Sequence, residues 1–184
     1  MAEAARIEWR QLRVAALLLL VVKLVLLVAA QPFMDETYYF VWGQHPQLSY
    51  FDHPSLVGWA EGLSGALFGW TVLGLRAPVL LTLAGDLALL WLLARRRPPE
   101  EQPAAFWGSA LLFLATPIVF GLSSVALPDH LLVLFTLATV YCVERLRETP
   151  EATRWIYLAA IAVGCATLSK YTGAMLGLTI IAYC

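Results

Sequence analysis

The chain has 184 residues, 60% of them hydrophobic and 14% charged, with a formal net charge of −1. Soluble domains average about half apolar and about a quarter charged, so a globule of this size in water could not bury so much apolar surface, whereas a bilayer can. The near-zero net charge implies no nucleic-acid partner, and Cys142, Cys165 and Cys184 lie in or beside apolar segments without paired spacing, as packing residues.

A membrane span needs about 20 apolar residues at roughly 1.5 Å rise across some 30 Å of hydrocarbon. The first such run covers 14–30, behind Arg6, Arg10 and Arg13. Val28-Ala29-Ala30 resembles a signal cleavage site, but the run outlasts a usual signal core and further spans follow. It is therefore read as an uncleaved signal anchor.

The next stretch, 31–75, is too long for a simple connector and too apolar for disorder. Glu36 to Gln44 carries Tyr38, Tyr39, Phe40 and Trp42, an aromatic mixture suited to headgroup depth. After an Asp52-His53-Pro54 turn, Leu56, Val57, Trp59, Ala60, Leu63, Leu67 and Phe68 form an apolar face at helical spacing. Two short juxtamembrane helices are predicted here.

Further spans are predicted over 77–94, 104–122, 129–143 and 156–169, and an incomplete one over 173–184. The 95–103 segment, RRRPPEEQP, is a polar turn whose Pro98 and Pro99 stop the preceding helix. No internal repeat is visible. The expected fold is an all-α, polytopic transmembrane helix bundle with juxtamembrane helices in its first external loop. The last apolar run has no closing charge, so the chain reads as the N-terminal part of a longer protein, inactive alone.

Arginine placement orients the bundle. Arg6, Arg10, Arg13, Arg95, Arg96, Arg97, Arg145, Arg147 and Arg154 all fall on one face under alternating topology. Only Arg76 and Lys170 fall on the other, with Lys23 inside a span. By the positive-inside rule the arginine face is cytoplasmic, so 31–75 lies outside, periplasmic in a Gram-negative cell. The expected location is the cell (inner) membrane, multi-pass, with the N-terminus inside.

The outer interface collects Asp35, Glu36, Asp52, Asp129, all three histidines (His45, His53, His130) and Lys170. These are acid-base and phosphate-binding groups. Each also has a plain structural use. Asp35 would serve as an N-cap with Glu36 favouring the first helical turn; Asp52 as a turn former; Asp129 after Pro128 as a helix starter. His45 beside Pro46 reads as a solvated loop residue. Asp35, Glu36, His53, Asp129 and His130 are suitable metal ligands, but no compact spacing supports a site. Lys23 and Asp86 stand at similar depth in adjacent spans, where a lone charge costs roughly 2.5–3.5 kcal/mol. A mutual ion pair is the cheapest expectation, and a proton or ion path the alternative.

Asp35-Glu36-x-Tyr38-Tyr39, followed by Tyr50-Phe51-Asp52-His53-Pro54, resembles the first external loop of bacterial family 39 glycosyltransferases. These are GT-C enzymes related to protein O-mannosyltransferases and to the aminoarabinose transferase of lipid A. Leu127-Pro128-Asp129 opening one span and Leu168-Ser169-Lys170-Tyr171 closing another fit the same order. The similarity covers most of the chain. The family often has Pro-Pro after the histidine position, Gly before Tyr-Phe-Asp, and Thr or Ser before Pro-Asp. Here Pro54-Ser55, Ser49 and Leu127 stand instead, which leaves sugar and acceptor open.

The resemblance implies inverting transfer of a sugar from a polyprenyl-phosphate carrier to an acceptor hydroxyl on a lipid, glycan or protein, at the outer face. Asp35, Glu36 and Asp129 would be the catalytic carboxylates, with Asp35 the base. Tyr39, Asp52, His53 and Lys170 would bind substrate, Lys170 facing the departing phosphate ahead of Arg76. No cofactor is required, and membrane lipids are the remaining partners. One alternative is a transporter or flippase of lipid-linked sugars that uses Lys23 and Asp86 as coupling charges. Another is a non-catalytic membrane subunit.

Overall fold

A computed structural model describes residues 2–183. In chain order the helices are α1 (Ala2–Ala29), α2 (Met34–Gln44), α3 (Leu56–Phe68), α4 (Val72–Ala94) and α5 (Gln102–Ala115). They continue as α6 (Pro117–Leu122), α7 (Pro128–Glu148), α8 (Arg154–Ser169) and α9 (Ala174–Tyr183), with a 3-10 turn at Tyr171–Gly173 before α9. No strand occurs among the described residues, and an isolated antiparallel bridge joins Ser49 and Pro54. The fold is an all-α membrane helix bundle. The segments Trp9–Ala29 and Val72–Ala94 are each long and apolar enough to cross a bilayer.

Burial explains why these helices need lipid. Along α1, Val14, Leu18, Val21, Val25 and Val28 are exposed, while Ala16 and Leu27 turn inward. The inward residues join Leu75, Val79 and Leu83 of α4 and Ala110 and Leu114 of α5 in one core. In water the outward stripe would be a large uncovered apolar patch.

The two helices predicted inside 31–75 are α2 and α3. They cross so closely that a Cβ on Gly43 would lie 2.6 Å from the Gly62 nitrogen. Only glycine permits that approach. Gly69 ends α3 at φ 79, in the left-handed region that favours glycine, and Thr71 then caps α4 by accepting from the Gly74 amide at 3.3 Å.

Prolines shape two of the spans. Pro78 has no amide hydrogen, so the Gly74 carbonyl loses its helical donor. The Ser64 hydroxyl of α3 replaces it at 2.6 Å, which ties the juxtamembrane helix to α4. The 104–122 segment is not one continuous helix. Thr116, preceding Pro117, is held extended at φ −73 and ψ 111, and splits the run into α5 and α6.

That break also decides the fate of Lys23. Its ammonium donates to the Phe120 carbonyl at 2.9 Å, Ser123 Oγ at 3.0 Å and Ser124 Oγ at 2.7 Å. The expected ion pair with Asp86 does not form: among the described residues Lys23 has no carboxylate within 4.0 Å, and both Asp86 oxygens are buried without a hydrogen-bond partner. Equal depth in adjacent helices placed the two charges at one level. It did not bring them into contact, and the oxygens at the end of α6 are the ones within hydrogen-bond reach of Lys23.

A double-mutant cycle separates these arrangements. Lys23→Leu and Ser124→Ala, read by thermal melting in detergent, are expected to be non-additive by on the order of 1 kcal/mol, as for residues in direct contact. The coupling of Lys23→Leu with Asp86→Leu is expected to be smaller. The reverse ranking would restore the Lys23–Asp86 pair.

Candidate functional site

The site lies where α2 begins, where the 45–55 turn folds back, and where α7 begins beside the end of α8. An apolar cluster of Tyr39, Trp42, Val57 and Leu131, backed by Tyr50, Leu56, Leu127 and Phe135, joins α2, α3 and α7. Trp42 stacks on Tyr50 at 4.1 Å with the rings 5° from parallel. The Tyr50 hydroxyl donates to the Trp42 and His45 carbonyls at 3.0 and 3.2 Å and accepts from the Gln47 amide at 3.2 Å. Tyr50 thus fixes the turn that carries Asp52 and His53.

α2 starts in an unusual way. Its N-cap is Phe33, which offers no side-chain acceptor, and Glu36 reaches back to accept from the Phe33 amide at 2.7 Å. Asp35 is therefore not the N-cap. It stands exposed in the first turn, where the helix dipole favours a negative charge.

Glu36 faces the other way and is fully buried. Its carboxylate pairs with the Arg76 guanidinium at 2.7 Å (Oε1 to Nε) and 2.8 Å (Oε2 to Nη2), and accepts from the Ala126 amide at 2.9 Å. Arg76 also donates to the Leu27 carbonyl at 3.1 Å and is itself buried. Arg76 is consumed by this network, which removes it as a partner for an incoming phosphate.

The remaining candidates converge on Tyr39. Burial first, and then the negative charges of Asp35, Asp52 and Asp129, push the Tyr39 hydroxyl up to about 12. Three carboxylates from three separate segments thus act on one phenol. Asp52 accepts from Tyr38 at 2.8 Å, an exposed contact that raises the Tyr38 hydroxyl as well. The His53 ring lies 5.8 Å from the Tyr39 ring, and its Nδ1 is buried without a partner. Asp129, in the first turn of α7, pairs with Lys170 at 2.8 Å, and both remain partly exposed. Lys170 reaches it because the chain turns extended there (φ −153, ψ 138) as α8 ends.

His45 caps the end of α2, and His130 is fully buried with its Nδ1 3.0 Å from Thr82 Oγ1. Glu36 and His130 therefore point into the protein, away from the carboxylates around Tyr39. Among the described residues no three histidine, cysteine or acidic groups gather in a metal-holding arrangement.

Glu61 of α3 escaped the reading of the sequence. Both of its oxygens are buried without partners, and its carboxyl is pushed up to about 9 by burial first and the Glu36 charge second. The only hint in the sequence is an acid on an otherwise apolar helix, which equally marks a solvated face.

A model of the dolichyl-phosphate-mannose-protein mannosyltransferase family matches residues 52–184. The chain belongs to that family, a group of GT-C membrane glycosyltransferases, as its motifs lead one to expect. It is also similar, with 29% identity over 127 residues, to the undecaprenyl phosphate-alpha-4-amino-4-deoxy-L-arabinose arabinosyl transferase 2 of Proteus mirabilis (strain HI4320). That alignment covers 67% of this chain and 22% of the relative, so the chain spans about a fifth of the relative's length. No solved structure matches the chain. The family match begins at Asp52, so Asp35 and Glu36 lie outside it.

Glu61 supplies a pH test. Its folded-state value, about 9, lies above the ordinary 4.5, so between those limits the folded protein holds a proton that the unfolded chain releases. Stability from this group then falls as pH rises through that window. Glu61→Gln should raise the melting temperature clearly at pH 8 and much less at pH 5. An equal change at both values would mean that Glu61 is ionised when folded.

Proposed function

We propose that the complete protein transfers a sugar from a polyprenyl-phosphate carrier to an acceptor hydroxyl at the outer face of the cell membrane, with inversion. The observation that carries this reading is the Tyr39 apolar cluster, which packs α2 with its Asp35, the turn with Asp52 and His53, and α7 with its Asp129–Lys170 pair against one another, in a chain of this family. Asp35 is exposed, and it takes the acceptor proton as the hydroxyl oxygen attacks the anomeric carbon. The new C–O bond forms as the bond to the phosphate oxygen breaks, through an oxocarbenium-like state. The electron pair leaves with the lipid phosphate.

A departing phosphate needs cations or donors. Lys170 fits that role because it is partly exposed, and His53 because its Nδ1 has no hydrogen-bond partner among the described residues. Asp129 holds Lys170 in place until the phosphate arrives. Glu36 supports the site at one remove, because it fastens the α2 turn that presents Asp35. Tyr39 and Asp52 line the substrate side.

The multi-pass arrangement belongs to the same proposal. The arginines gather at the ends of α4 and α7 and the start of α8, and the Tyr39 cluster stands where α1, α5–α6 and α8 finish, the opposite end of the alternation. That supports an inner-membrane protein with a cytoplasmic N-terminus and an external site.

Asp35→Asn preserves side-chain size, and Asp35 is not the cap of α2, so the helix should survive. Turnover of sugar transfer by the full-length protein in liposomes should fall roughly 10²- to 10⁴-fold. A stably folded variant that keeps more than about a tenth of wild-type turnover would displace the base to Asp129. For topology, cysteines placed singly at Ser49 and Glu100 in a cysteine-free background should differ towards an impermeant thiol reagent on intact cells. Labelling is expected at 49, and labelling at 100 alone would invert the proposed orientation.

A further inference from the structure

At the end of the bundle opposite the Tyr39 cluster, α4, α5 and α7 splay apart around a cavity of about 600 Å³. Its walls carry Arg96, Arg97 and Arg147, with Ser109 of α5 adding a hydroxyl and Leu90 and Leu93 of α4 an apolar side. Two glutamates also line it, and each is already engaged. Glu148 takes Arg96 through a bidentate contact and Arg145 at 3.2 Å, and Glu144 takes Arg147 at 3.2 Å. Arg97 has no carboxylate partner among the described residues, and it is exposed at the cavity mouth.

The surroundings place the cavity at headgroup depth. Trp91, half exposed on α4, carries the Arg95 guanidinium 4.6 Å above its ring, the aromatic-basic pairing of a membrane interface. A cleft between membrane helices that pairs a free arginine with an apolar flank of Leu90, Leu93, Ala94 and Ala105 matches an anionic lipid, charged at the head and apolar below. A soluble anion would use the mouth and leave the leucine wall wet.

We propose that this cavity binds the phosphodiester headgroup of an anionic phospholipid, with Arg97 as the principal cation and Leu90 and Leu93 against its acyl chains. The Arg96–Glu148 bridge holds the wall between α4 and α7 open. The lipid would in turn join α4, α5 and α7 at this end of the bundle. This assignment rests on the cytoplasmic placement of the arginine end for its source of lipid. Binding in detergent does not depend on that placement, so its failure is distinguishable from a wrong topology.

The test uses the full-length protein in neutral detergent and follows binding by native mass spectrometry and thermal melting. Phosphatidylglycerol, phosphatidylcholine and inorganic phosphate are added separately. Phosphatidylglycerol should bind and raise the melting temperature beyond phosphatidylcholine, and inorganic phosphate should not. Arg97→Gln should weaken phosphatidylglycerol binding roughly fivefold, the share of one surface arginine, and leave phosphatidylcholine unchanged. Arg97→Lys should retain most of the preference, which separates charge from misfolding. Unchanged phosphatidylglycerol binding by Arg97→Gln overturns the site. Equal stabilisation by inorganic phosphate overturns the lipid assignment and leaves an anion site.

Discussion

Glu36 gathers three hydrogen bonds onto one buried carboxylate, from Arg76 Nη2 and from the Phe33 and Ala126 amides, with the charge of Arg76 Nε beside them at 2.7 Å. Arg76 extends the network to the Leu27 carbonyl at the end of α1. The end of α1, the start of α2, α4 and the segment before α7 are thereby fastened at one end of the bundle. A buried ion pair gains little over well-packed apolar residues, but losing one partner costs about 3–5 kcal/mol because the other charge is stranded. The network therefore specifies an arrangement more than it adds stability. What it specifies is the start of α2, and with it the exposure of Asp35.

Lys23 does at a lower level what Glu36 does above. It grips the Phe120 carbonyl and the serines that follow α6, so the 120–126 segment is held from α1 by an ammonium and from α2 by a carboxylate. That segment leads directly into Pro128 and Asp129. The position of Asp129 opposite Lys170 follows from these two anchors together with the Tyr39–Leu131 apolar cluster. Charges in the bundle that look costly are thus spent on bringing separate carboxylates to one place. Asp86 and Glu61 are exceptions, each buried without a hydrogen-bond partner.

Two residues of one dipeptide serve opposite purposes here. Asp35 and Glu36 are adjacent, and on a helix adjacent side chains diverge by about 100°. One therefore faces the medium and the other the core. Family membership supports glycosyl transfer as the chemistry of the complete protein, and this divergence supports Asp35 as the group that meets substrate and Glu36 as the one that positions it.

Hydropathy and its helical spacing were enough to read the membrane bundle and the two helices within 31–75. These properties are periodic and local, so one chain read alone displays them. The motifs carried the family for the same reason, being short and contiguous. The break at Thr116 was legible in principle from Pro117, but the apolar run on both sides concealed it. The partners of Lys23 were not legible, since depth is set by position along a helix but facing is set by how each helix is rotated in its packing. The same holds for Arg76, an exposed-looking cation after a loop that became the buried partner of Glu36. Which polar groups meet is decided by packing between residues up to 101 positions apart, and only the tertiary structure supplies that.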